Sequence, residues 1–220
     1  MTQNLIKTLI TMLLIAAVLS ACATLPPADP KRSATLHEEA LRMASIKNYT
    51  QSIDKFNEAI RYNPQSSQLY QQQAEVLEML QQFPEASRTY KLALDRIAPD
   101  DIDREQIHYR LGLLLARDQG KQRKARQHLE KLTDPSQQAD LEGMMTLSAG
   151  DPDTALRLFN QALKSAPDFD AQARIYYHAS LAHYAKGDIF ESKNALFNAV
   201  NKASSLALKQ HITIFFDQIR

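Results

Sequence analysis

The chain has 220 residues, 44% of them hydrophobic and 23% charged, with 26 basic against 25 acidic side chains. That balance excludes a global attraction to nucleic acid, and a single cysteine excludes an internal disulfide framework. Five glycines and no tryptophan argue against a turn-dense β architecture and leave one helical domain of ordinary globular composition.

The first element is a polar start carrying one positive charge, Lys7, then an apolar core from Leu9 to Leu19 broken only by Thr11, then small residues. This three-zone pattern predicts an export signal over residues 1–21, with a core shorter than the ~20 apolar residues a spanning helix needs. The run Leu19-Ser20-Ala21-Cys22 resembles the lipobox of bacterial lipoproteins. The resemblance implies cleavage before Cys22, a diacylglycerol on its sulfur and an acylated amine; a secreted protein with a chance cysteine is the alternative. Ala23 stands where inner-membrane lipoproteins tend to carry aspartate, so the implied address is the periplasmic face of the outer membrane. Each buried CH₂ contributes about 0.8 kcal/mol, so two or three acyl chains hold a protein on a bilayer where one does not. Pro26, Pro27 and Pro30 predict an extended tether over residues 22–32.

Beyond the tether an internal repeat dominates. A small residue, a bulky one four later and a small one three after that recur at Ser52, Phe56, Ala59; Ala86, Tyr90, Ala93; and Ala155, Phe159, Ala162. Weaker copies fall at Ala125, Leu129, Leu132 and at Ser192, Leu196, Ala199. Such spacing places all three on one stripe of a helix, where small residues admit a neighbouring helix and the bulky one fills the gap. A turn precedes each stripe. Asp151-Pro152 has the chemistry of a helix N-terminus, and Gly150 and Gly187 suit the left-handed residue that ends one. Upstream pairs such as Ala40 with Met43, Ala74 with Leu77 and Gly112 with Leu115 predict a preceding helix in each unit, hence antiparallel helix pairs. The acidic loop Asp100, Asp101, Asp103 lacks the glycine and glutamate of a calcium loop and is read as helix capping.

These residues resemble the tetratricopeptide repeat, a unit of about 34 residues. Unit one matches at Ala40, Phe56, Ala59 and Pro64, and unit four at Gly143, Ala155, Phe159, Ala162 and Pro167. The stripes start 34, 39, 30 and 37 residues apart, so the third unit departs most, with an extra residue near Gly120 and a clipped junction at Asp134-Pro135. The resemblance implies an all-α, right-handed solenoid of about five helix pairs over residues 33–204. Residues 205–220, with Leu206, Leu208, Ile212, Phe215, Phe216 and Ile219, predict one more amphipathic helix capping the stack; a docking helix for a partner is the rival reading.

No chemistry emerges from the motifs. The six histidines include no i, i+4 pair for a metal, and there is no G-x-S-x-G, no phosphate-cradling loop and no second cysteine. Lys121, Arg123, Lys124, Arg126 and Lys131 read as a solvated basic face. The expectation is a non-enzymatic protein without cofactor or metal. By the resemblance, first helices line a concave groove: a polar half with Gln68, Gln71, Glu75, Glu78 and Met79, then an apolar half with Tyr109, Leu113, Arg117, Met144, Leu147, Tyr177, Leu181 and Tyr184. The Lys and Asn that clamp peptide carboxylates in some relatives are replaced by His37 and Leu41, then Gln71 and Glu75, which disfavours terminal-peptide binding. The implied role is a lipid-anchored scaffold binding envelope proteins or peptides. The assembly expected is the type IV pilus and its secretin or outer-membrane protein insertion, with an adaptor for peptidoglycan hydrolases as the alternative.

Overall fold

A computed structural model describes residues 26–219; the expected signal, the lipid-bearing Cys22 and the start of the tether lie outside the described residues. Eleven α-helices and no strand are present among them. Helix α1 (Pro30–Ser45) pairs with α2 (Tyr49–Tyr62), α3 (Ser67–Met79) with α4 (Phe83–Arg96), and α5 (Arg104–Ala116) with α6 (Gln122–Leu129). Then α7 (Pro135–Ser148) pairs with α8 (Pro152–Ser165) and α9 (Phe169–Lys186) with α10 (Ile189–Lys202), and α11 (Leu206–Gln218) follows. This is the all-α solenoid of antiparallel pairs expected from the repeat. No helix among the described residues is long and apolar enough to cross a membrane.

The expected tether needs correcting at its end, because Pro30, Lys31 and Arg32 already belong to α1. Proline is tolerated at the first helical position, where its missing N–H has no intrahelical partner to lose. The Asp29 side chain accepts a hydrogen bond from the Arg32 N–H at 3.0 Å. The Asp29 N–H in turn donates to the Tyr62 carbonyl at 3.1 Å, and the Arg32 guanidinium lies 4.5 Å from the centre of the Tyr62 ring. The start of α1 is thereby stapled to the end of α2.

The stripes are the core of the first, second, fourth and fifth pairs. Ser52, Phe56, Ala59, Ala86, Tyr90, Ala93, Ala155, Phe159, Ala162, Ser192, Leu196 and Ala199 are all fully buried. Each bulky member contributes about 1.5–3 kcal/mol through removal of its apolar surface from water. Buried serines repeat their bonds in register as well. The Ser52 hydroxyl donates to the Ala40 carbonyl at 2.8 Å, and Ser192, at the same twelve-residue separation, donates to Ser180 at 2.9 Å. Ser33 to Ala59 and Ser136 to Ala162 are both 3.0 Å long and span 26 residues. A methyl at Gly143 would sit 2.5 Å from the Phe159 ring, so this glycine is required by close approach.

Turns inside the regular pairs share one left-handed residue. Gly150 and Gly187 have φ of 90° and 82°, and Lys47 and Gln81 take the same place with φ of 63° and 58°. Asp151 caps α8 through the Thr154 N–H at 3.0 Å. The expected capping by the acidic loop needs correcting: Asp103 stands at the N-cap of α5 without a side-chain bond to the helix, because its carboxylate takes the Ser67 hydroxyl at 2.8 Å, and Asp101 accepts the Asp103 N–H within the loop at 2.9 Å. The third pair differs, as its irregular spacing predicts. A short 3₁₀ turn over Gln119–Lys121 absorbs the extra residue, and α6 is only 8 residues long.

Helix α11 caps the last pair, burying Leu208, Ile212, Phe215 and Ile219 against Ala173, Leu196, Ala199 and Ala203. It also does something the sequence did not suggest. Its other side crosses to the first half of the stack, where Ala207 joins the core cluster of Leu36, Val76 and Met79. The Tyr49 hydroxyl bonds to Gln210 Oε1 at 2.6 Å.

Candidate functional site: the concave groove

The first helices of the pairs form the inner wall, and two buried polar clusters fix its shape. In the first, Glu78 Oε1 accepts from the Tyr90 hydroxyl at 2.9 Å and from Arg110 Nη2 at 2.8 Å. Burial opposes the Glu78 charge, but Arg110 and then His211 hold its pKa below the usual carboxylate range. Burial likewise works against the Arg110 charge, and Glu78, Tyr90 and Glu75 outweigh it and raise the guanidinium pKa. Neighbouring Glu75 goes the other way, lifted by burial that Arg110 only partly offsets.

In the second cluster Asp140, fully buried on α7, accepts the Tyr109 hydroxyl at 2.5 Å and meets His178 Nδ1 at 2.9 Å. Burial, then the Asp140 charge, pushes the Tyr109 phenol well above its ordinary pKa. Buried carboxylates satisfied in this way are rigid fixtures rather than free acids or bases. Two cations remain along the wall. Arg117 lies 4.3 Å from the Phe83 ring centre and Arg174 lies 5.6 Å from that of Tyr109, and the Arg174 Nε is buried without a hydrogen-bond partner. Among the described residues no group of three His, Cys, Asp or Glu is placed to hold a metal ion.

Five of the eight expected groove residues meet. Leu113, Arg117, Met144, Tyr177 and Leu181 line one cavity together with Glu78, Arg110, Arg174 and His178, and with Leu208 and His211 of α11. Tyr184, 45% exposed, packs edge-on against Phe215 with ring centres 5.5 Å apart, and Tyr177 does so at 6.1 Å. The other two are displaced from the groove surface. Tyr109 is buried because its hydroxyl serves Asp140, and it borders a separate depression with Gln106, Gln137 and Arg174. Leu147 packs against the central core. On the polar half, Glu78 and Met79 are buried as well, Glu78 against Tyr90 and Arg110 and Met79 in the cluster with Leu36 and Val76, while their carbonyls accept from His211 and Gln210.

Arg110, Asp140, Arg174, His178, His211 and Phe215 are the wall residues that sequence reasoning missed. Asp140 had a usable signal: it shares a helix face with Gly143 and Met144, three and four residues on, and a carboxylate on a buried face needs a partner. His211 and Phe215 had none, because nothing local says where α11 will lie.

Family models described as tetratricopeptide repeat match residues 146–208 and 107–134. Among solved structures, TTC0263, a thermophilic tetratricopeptide protein of Thermus thermophilus, superposes with TM-score 0.58 at 16% identity, covering 84% of this chain and 98% of that one. PilW, described as a widely conserved type IV pilus biogenesis factor, gives 0.56 at 15%, covering 81% and 80%. The APC/C hetero-tetramer Cut9-Hcn1 gives 0.58 at 14% over 94% of this chain, which spans only 39% of the matched one. No curated protein matches the chain. Residues 107–134 and 146–208 thus match tetratricopeptide-repeat models, and the helix pairs stack as a solenoid of that kind. At these identities the likeness extends to the fold alone.

Proposed function

We propose that this protein is a non-enzymatic scaffold, held by lipid on Cys22 at the periplasmic face of the outer membrane, that presents its concave groove to components of an envelope assembly. The observation that carries the reading is the groove itself. An aromatic and apolar wall of Leu113, Met144, Tyr177 and Leu181, flanked by the cations of Arg117 and Arg174 and with Tyr184 exposed beyond it, offers anchors of the kind that dominate protein interfaces. The buried carboxylates there, Glu78 and Asp140, are each held by two partners, which suits a rigid binding wall better than catalysis. Type IV pilus biogenesis is the favoured assembly, supported by the likeness to PilW. The anchor is tested by a Cys22→Ala variant in cells. It is expected to accumulate, fold with unchanged helicity, leave the membrane fraction and fail to complement a deletion; full complementation from the soluble fraction would contradict the reading.

A further inference from the structure

From the path of α11 across the groove, we infer that this helix is a resident ligand, and that the partner this groove takes is an amphipathic helix of the same pattern which displaces it. The inference rests on the groove being a protein-binding wall. Helix α11 occupies the very residues a partner would use: Phe215 lies edge-on to both Tyr177 and Tyr184, and Leu181 packs with it. Its apolar residues Leu208, Ile212, Phe215 and Ile219 fall at i, i+4, i+7 and i+11, the spacing by which a helix seats itself in a groove.

The attachment to the first half of the stack is more polar. Beyond the small Ala207, which joins the cluster of Leu36, Val76 and Met79, it rests on single polar bonds, Tyr49 to Gln210 at 2.6 Å, Gln210 to the Met79 carbonyl at 3.4 Å and His211 Nε2 to the Glu78 carbonyl at 3.0 Å, across 131 to 161 residues of sequence. A three-residue link joins α10 to α11, pinned where Ser204 gives its N–H and hydroxyl to Asp170 at 2.5 Å each. A helix on so short a link competes at millimolar effective concentration. A partner therefore meets a wall whose apparent affinity is its intrinsic affinity scaled by the fraction of molecules with α11 displaced. The same geometry defines the partner: bulky apolar groups at i, i+4 and i+7, an aromatic at the third, and a donor for the Glu78 carbonyl at i+3, on the flank of that stripe.

The test uses the full chain and a fluorescein-labelled synthetic peptide of residues 206–219 as probe, read by anisotropy, with hydrogen exchange reporting α11 in the same samples. Phe215→Ala in the chain should speed exchange in α11 and tighten probe binding about tenfold or more, following the displaced fraction. Tyr49→Phe, which removes one hydroxyl at the edge of the stack and leaves every core residue in place, should tighten it a few-fold, about threefold. Phe215→Ala in the probe should abolish binding. Equal probe affinity for wild type and Tyr49→Phe, or no binding to a folded variant whose α11 exchanges fast, overturns the inference. Neither result touches the scaffold reading, which is read separately by partner capture in cells.

Discussion

The fourth helix pair and the third are built to the same plan and differ in how completely they carry it out. In the fourth, α8 runs 14 residues from a capped start and buries Ala155, Phe159 and Ala162 completely. In the third, α6 has eight residues, buries Ala125 alone, and leaves Leu129 half-buried. Beside Leu129, the counterpart of Phe159, the third pair also holds two histidines from different helices, His108 and His128, with Nδ1 atoms 2.9 Å apart. The contrast teaches that a solenoid tolerates one weak unit because its neighbours supply the packing it lacks. Such a unit gives way first.

The largest effect that would sharpen this contrast is at the bulky stripe position. Phe159→Ala should cost about 3–5 kcal/mol, whereas Leu129→Ala, already half out of the core, should cost about 1 kcal/mol or less. Denaturant titration of the two variants checks this, and equal losses would break the comparison. A smaller effect separates the units by pH. Burial lowers the pKa of His108, with Arg104 and Lys131 adding to it, and burial with the nearby His108 takes His128 down to about 4. Both imidazoles are neutral in the folded third pair, while in the unfolded chain they take up protons below about 6.5. Their contribution to stability is therefore whole above pH 6.5 and falls away between 6.5 and 4. A His108→Gln, His128→Gln variant should lose less stability than the parent over that window, and hydrogen exchange at pH 5 should open α6 before α8.

The smallest effect lies in the turns. Lys47→Gly and Gln81→Gly remove the cost of a side chain in the left-handed region, partly offset by glycine's greater unfolded entropy, and should each stabilise by about 0.5–1 kcal/mol. Thermal unfolding would show it. Gly150→Ala should do the reverse.

The stripes were legible because small, bulky and small at four and seven is a local pattern that only one face of a helix can satisfy. Gly150, Gly187 and Asp151-Pro152 were legible for the same reason: turn and cap chemistry is set within a few residues. Lys47 and Gln81 escaped notice because neither residue type announces a left-handed backbone. The groove was half legible. Leu113, Arg117, Met144, Tyr177 and Leu181 lie on its wall, but Tyr109 turned inward toward Asp140, 31 residues away, and α11 met Tyr49 across 161 residues. Pairings of that range are decided by the finished stack.

The central claim is that the apolar half of this groove binds another envelope protein. It is tested most directly by placing a photoactivatable residue at Arg117, which lines the cavity without closing it, and irradiating intact cells. The account predicts one discrete crosslinked partner, weakened when Tyr184→Ala removes an aromatic anchor and retained when Arg123 on the outer basic face is changed instead. Crosslinks confined to α11 of the same chain, with no second protein captured under any growth condition, would contradict it.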